Sequence, residues 1–162
     1  MNKSTKKFIN SLDLLPCAIG WTHSGYSCYK LHQQKVKNSP RPPLDDNSHY
    51  SKMTWETARQ TCIDSEAELA SVSSSEENSV IFQMGGGQDV WLGGRYSHMQ
   101  GTGSWSDGTP WDDHQASGLW QPGQPSPNVN HNCIIQGQGD SWLSVSCNRE
   151  HSFVCEISKG KK

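Results

Sequence analysis

The sequence predicts a loop-rich α+β domain, and three observations predict it. Two helical patterns with clear start signals lie in the first half of the chain. From Asp89 onward the pattern changes to short β-like runs around a long irregular stretch. Six cysteines occur with no Cys-x-x-Cys pair, an even count that fits disulfides better than a zinc ribbon or a redox site. Seven Trp, fifteen Gly and eight Pro, with only 32% hydrophobic residues, favour a few large aromatic anchors over a helical bundle. At 162 residues the chain has room for one domain plus tails.

Residues 1–16 are polar, lysine-rich and end in Pro16, which reads as a flexible N-terminal arm. The segments Cys17 to Trp21 and Tyr26 to Tyr29 flank His23-Ser24-Gly25, a polar turn that suits a short hairpin. A polar insert follows, about residues 32–51, with Pro40, Pro42, Pro43 and Asp45-Asp46 in it, and is expected to be an exposed loop. Thr54 then caps a helix that places Trp55, Ala58 and Cys62 on one buried face.

Ser73 with Glu76 and Ser74 with Glu77 both satisfy the capping-box spacing for a second helix; Val80, Ile81 and Met84 form its apolar side, and Gly85-Gly86-Gly87 ends it. The β-like runs are Val90-Trp91-Leu92, Cys133-Ile134-Ile135, Trp142 to Val145 and Phe153-Val154-Cys155. Between Gly101 and Asn132 lies a stretch rich in Gly, Pro, Asp, Asn and Trp, and a loop this long within a domain usually carries function.

A net charge of -2 and a pI near 6.4 provide no basic field for nucleic acid. No apolar run approaches the roughly 20 residues that span a bilayer, so membrane insertion is not expected. Met1 to Leu15 opens with Lys3, Lys6 and Lys7, but Asn10, Ser11 and Asp13 break its apolar part. It makes a poor signal peptide and reads as a mature start with an added initiator Met, its export signal absent. Gly-x-Ser-x-Gly, His-Glu-x-x-His and P-loop patterns do not occur, so an enzyme is not expected.

An ordered series of motifs runs through these elements: Cys17…Trp21…Cys28-Tyr29, Trp55-x-x-Ala58-x-x-x-Cys62, Ala67-x-Leu69-Ala70-Ser71-Val72 and Trp91-Leu92-Gly93-Gly94. It continues through Trp105-x-Asp107-Gly108-x-Pro110, Trp120-x-x-Gly123-Gln124-Pro125, Cys133, Gly139-x-x-Trp142, Cys147 and Phe153-x-Cys155-Glu156. In order and content this resembles the C-type lectin-like superfamily, in its long form with an N-terminal hairpin. The resemblance covers residues 17–157 and leaves 158–162 as a basic tail.

The resemblance implies two helices with antiparallel sheets, a long irregular loop region and three disulfides: Cys17 with Cys28, Cys62 with Cys155, and Cys133 with Cys147. Cross-links of this kind contribute about 2–4 kcal/mol each and offset a small aliphatic core. Trp55, Trp91, Trp105, Trp120 and Trp142 read as scaffold in preference to ligand contacts, because large aromatics are mainly core anchors.

Sugar-binding members place a Glu-Pro-Asn or Gln-Pro-Asp triplet on the long loop, a Glu two residues before the next Cys, and Trp-Asn-Asp on the following strand. These groups hold Ca²⁺, a hard cation needing about 6–8 oxygens, and the same oxygens hydrogen-bond sugar hydroxyls. Here the matched residues are Gln124-Pro125-Ser126, His131, and Trp142-Leu143-Ser144. The carboxylates are missing at every matched position, and members use a cis peptide before the loop proline.

The implied function is an extracellular recognition module that contacts a glycan or protein ligand, on a cell or pathogen surface, through the long-loop face without the usual calcium bridge. The candidate contacts are Trp111, Gln124, Ser126, Asn128, Asn130, His131, Asn132 and Ser144. Trp111 is the tryptophan least demanded by the scaffold pattern, and stacking on a ligand stands beside partial burial for it. The alternative is a calcium-dependent, galactose-leaning lectin with a weak or displaced calcium site. Gln124, Ser126 and Asn132 are its weak candidates, helped by Asn128, Asn130 or Asp140. His98, His114 and His131 with Asp112 and Asp113 invite a Zn²⁺ or Cu²⁺ reading, but their irregular spacing favours exposed loop residues. Adsorption to ice or mineral, as in some relatives, is compatible with so polar a loop.

Overall fold

The computed structural model describes residues 16–33 and 53–160. The expected arm up to residue 15 and nearly all of the Pro-rich insert lie outside the described residues. The elements are β1 (Thr22–Ser24), β2 (Ser27–His32), α1 (Trp55–Ile63), β3 (Glu68–Leu69), α2 (Ser75–Gly85), β4 (Val90–Ser97), β5 (Thr102–Trp105), α3 (Asp113–Ser117), β6 (Cys133–Gln136), β7 (Trp142–Val145) and β8 (Ser152–Ser158).

Local signals explain both main helices. Thr54 caps α1, its hydroxyl accepting from the Thr57 N–H, and Trp55, Ala58 and Cys62 form the buried stripe. Ser74 caps α2 by accepting from Glu77 N–H, while the Glu77 carboxylate reaches back to the N–H of Ser73. Gly86 closes α2 in the left-handed conformation, φ 60°, which glycine adopts without steric cost.

Eight strands form one sheet in the order β1-β2-β8-β4-β6-β7, with β3 paired to β8 and β5 to β4. The sheet is mixed: β4 runs parallel to β8, pairing Val90 with Ser152 and Trp91 with Phe153, while the other pairs are antiparallel. The implied antiparallel pairings are thus joined at the centre by one parallel pair. The long excursion through β5 to β7 supplies the crossover a parallel pair needs. The N-terminal hairpin also shifts, because His23 and Ser24 belong to β1 and the turn is Gly25-Tyr26. His32 ends β2 opposite Phe153 instead of opening the insert.

The core has two parts. Val90, Leu92, Ile134 and Val154 pack with Ile81 of α2, while Trp91, Ile135 and Phe153 pack with Trp55, Ala58 and Cys62 of α1. Neighbouring strand residues alternate between the two clusters, so α1 and α2 cover opposite faces of the sheet. Trp55, Trp91, Trp105 and Trp142 are buried, as scaffold tryptophans should be. Buried indoles need acceptors: Trp55 Nε1 donates to Leu92 O at 2.9 Å and Trp91 Nε1 to Met53 O at 2.7 Å. The disulfides are Cys17–Cys28, Cys62–Cys155 and Cys133–Cys147, the implied pairings. The second ties α1 to β8 beneath the core.

Candidate functional site

The long-loop region is more ordered than its composition predicts. Its first part is strand β5, hairpinned to β4 with Ser97 opposite Thr102. A third helix, α3, follows, because the Asp112 carboxylate caps it by accepting from His114 N–H at 2.9 Å and Gln115 N–H at 3.1 Å. Ala116 of α3 plugs the core, and Leu119 and Trp120 pack beside it.

Trp111 is half-buried within this wall. Its ring lies 5.1 Å from Trp105 and 5.8 Å from Trp142, and its indole N–H donates to Asp113 Oδ1 at 2.8 Å. One face rests on Gly103, where an added Cβ would sit 2.5 Å from the indole. Asp113 also accepts from the Thr102 hydroxyl at 2.9 Å. Both acids of the proposed metal cluster are thus engaged in local structure. His98 lies against His131 O at 3.3 Å, and among the described residues no group of three or more His, Cys, Asp or Glu is placed to hold a metal ion.

The remaining site residues converge behind the Gln124–Pro125 peptide, which is cis. Gln124 Oε1 accepts from Ser144 N–H at 3.0 Å, and Ser144 Oγ accepts from Ser126 N–H at 2.7 Å. Ser126 Oγ meets His131 Nδ1 at 2.9 Å. Asn128 Oδ1 accepts from Asn130 N–H at 3.0 Å, which turns the Asn128 amide nitrogen towards His131 Nε2 at 3.4 Å. An amide nitrogen can only donate, so this network assigns the proton to His131 Nδ1, which donates to Ser126. The fold therefore joins Gln124, Ser126, Asn128, His131 and Ser144, with Asn130 held by its backbone N–H. Asn132 lies apart, its side-chain amide donating to Tyr96 O at 3.2 Å.

This donor set does not fit calcium. The ion needs about 6–8 oxygens, usually several of them charged. Leu143 supplies no side-chain oxygen, His131 supplies nitrogen, and the oxygens of Gln124, Ser126 and Ser144 accept hydrogen bonds within the cluster. From His114 to Gly139 the chain has no Asp, Glu, Lys or Arg, and the earlier Asp112 and Asp113 are engaged in local structure, so no carboxylate of that stretch offsets the dehydration of a dication.

Two polar supports were not anticipated from the sequence. Asn78, fully buried in α2, bonds β6, β7 and the turn at Asp140. Buried Glu156 accepts from Ser27 Oγ at 2.6 Å and Ser71 N–H at 3.0 Å, tying β2 and the segment that follows β3 to β8. The Cys155-Glu156 motif drew attention to the glutamate but not to its partners. Nothing local distinguishes Asn78 from an exposed helix residue.

Comparison with known proteins agrees with this architecture. The family profile "Lectin C-type domain" matches residues 51–157. The chain is 31% identical over 106 residues to "C-type lectin domain family 4 member K" of Homo sapiens, a match covering 64% of this chain and 32% of that protein. The chain thus spans about a third of that relative's length. It is 32% identical over 136 residues to the "Type-2 ice-structuring protein" of Hemitripterus americanus, covering 79% of this chain and 80% of that protein. Among solved structures, a calcium-independent type II antifreeze protein superposes with a TM-score of 0.69 at 26% identity, over 88% of this chain and 95% of the other. A family profile matching most of the chain, three paired disulfides and an eight-stranded mixed sheet place this chain in the C-type lectin domain family, as a binding module.

Proposed function

We propose that this chain is an exported recognition module that contacts its ligand through the long-loop face, Trp111 to Asn132, without a calcium bridge. The observation that carries this reading is the Gln124–Ser144–Ser126–His131 network. The polar side chains at the family's calcium positions satisfy one another, and none of them is a carboxylate that would offset the dehydration of a dication. Six paired cysteines support an oxidising destination. A glycan array and a panel of cell surfaces, each probed with and without EDTA, provide the test. Binding that survives chelation is expected; sugar binding abolished by EDTA would restore the calcium-dependent, galactose-leaning lectin.

A second reading, adsorption to ice, draws on two observations: the uncharged stretch from His114 to Gly139, and likeness to relatives named as ice-structuring or antifreeze proteins. Thermal hysteresis at millimolar protein separates it from the first reading, which expects none.

A further inference from the structure

Five large hydrophobic side chains are exposed among the described residues, and two of them, Met99 (98% exposed) and Val129 (66%), flank one groove. Its lining is Ser97, His98, Met99, Val129 and Asn132, drawn from the β4–β5 turn on one side and the long loop on the other. The two walls are pinned together beneath it. Tyr96 N–H donates to Asn132 O at 2.8 Å, the Asn132 amide returns a bond to Tyr96 O at 3.2 Å, and His98 Nε2 lies 3.3 Å from His131 O. Tyr96 further packs edge-on against His98 and Trp120. The groove is therefore set by backbone pairing before any ligand arrives, which lowers the ordering cost of binding.

It is also separate from the degenerate calcium position. His131 turns its ring towards Ser126 and its carbonyl towards His98, so the segment 128–132 divides the two places.

We infer that this groove is an anchor point for a protein partner, receiving one uncharged, apolar side chain between Met99 and Val129. This rests on the reading of the chain as a calcium-independent recognition module and names its partner class. The first argument is charge. No Asp, Glu, Lys or Arg occurs from Tyr96 to Ser106 or from His114 to Gly139, so neither loop has a partner for an ionised group, and burying one there would be costly. The second is side-chain chemistry. Interface centres are depleted in charge and enriched in methionine, whose flexible thioether moulds to an incoming side chain. No indole or phenol ring lines the groove to stack a pyranose, and no carboxylate is there to grip its hydroxyls. A pocket of this kind accounts for one anchor of an interface, the place where binding energy concentrates.

The test uses the whole chain and a small probe, N-acetyl-leucine N-methylamide, titrated while backbone amide and side-chain methyl resonances are followed by NMR. Saturable shifts are expected at the Met99 and Val129 methyls and the Ser97, His98 and Asn132 amides. The aspartate and lysine analogues should bind about tenfold more weakly, because charge must be desolvated there. Met99→Ser combined with Val129→Ser should weaken the leucine probe about fivefold or more, while Met99→Leu retains binding. Both side chains are exposed, so an unchanged melting curve verifies that the double variant still folds. Shifts elicited by methyl galactoside instead of the leucine probe would overturn the inference, as would no saturable shift. So would a concentration-dependent dimer lost in the double variant, since a second copy would then fill the groove. EDTA-sensitive sugar binding on the array would remove the parent reading alone, since the probe titration needs no calcium.

Discussion

Asn78 Oδ1 accepts the indole N–H of Trp142 at 2.9 Å, joining helix α2 to the strand that carries Ser144. The same oxygen accepts from Gln136 Nε2 at 2.8 Å, and the Asn78 amide donates to Asp140 O at 2.8 Å. One buried side chain thus saturates three distant groups. Asn78→Leu preserves volume but strips the buried Trp142 indole N–H of its acceptor, while Gln136 Nε2 keeps the Asn78 backbone carbonyl at 2.7 Å, and should cost about 1–3 kcal/mol in urea denaturation. A cost under about 1 kcal/mol would mean that water replaces the amide.

Calcium should leave the melting curve of the native chain where EDTA leaves it. An ion bound only to the folded form would add RT ln(1 + [L]/Kd), about 2.7 kcal/mol at a hundredfold excess over Kd. Substituting Ser126→Asp, His131→Glu, Leu143→Asn and Ser144→Asp together restores the family's ligand pattern. That variant should gain a calcium-dependent rise in midpoint. A rise already present in the native chain would show that the hydrogen-bonded cluster rearranges to take the ion.

Trp111 is held by the missing side chain of Gly103. Gly103→Ala places a Cβ where the indole lies, so the ring must leave its packing against Trp105 and Trp142. The expected loss is about 1–3 kcal/mol with a change in near-ultraviolet circular dichroism, the usual range for overpacking. Unchanged dichroism would show that the ring shifts without losing its contacts.

His32 stacks on Phe153 with ring centroids 4.6 Å apart, and burial, with Lys30 nearby, lowers its pKa from 6.5 to about 4. The unfolded chain then takes up a proton below pH 6.5 that the folded chain refuses until about pH 4. Stability therefore rises with pH across that window and falls on acidification through it, by at most about 3 kcal/mol from this group. His32→Phe keeps a stacking ring without the titration. The variant should show a shallower loss of midpoint between pH 6.5 and pH 4, and an unaltered slope would assign the acid sensitivity elsewhere.

Much of this fold is readable residue by residue. Thr54, Ser74 and Gly86 announce the ends of α1 and α2, since caps act within one turn and need no distant partner. The short strand β5 and helix α3 escaped that reading. Thr102 to Trp105 is half glycine and serine, and α3 spans only Asp113–Ser117, too short for a periodic pattern. The candidate site divided in the same way. Gln124, Ser126, Asn128, His131 and Ser144 meet as a cluster, whereas Trp111 lies in the aromatic wall and Asn132 on the groove side.

What the sequence by itself determined is chemical. Which residues stand at the calcium positions, and that none of them is acidic, needs no coordinates. The absence of charge from His114 to Gly139 is equally a property of the string. Only the tertiary structure decided where those groups point. It set Gln124 against Ser144, 20 residues away, and Asn78 against Trp142, 64 residues away; it also ran β4 parallel to β8 and opened a groove between Met99 and Val129. Caps and periodicities are contacts between near neighbours, which the order of residues encodes directly. Partners far apart in the chain meet only once the whole core has packed, and their identity belongs to the fold.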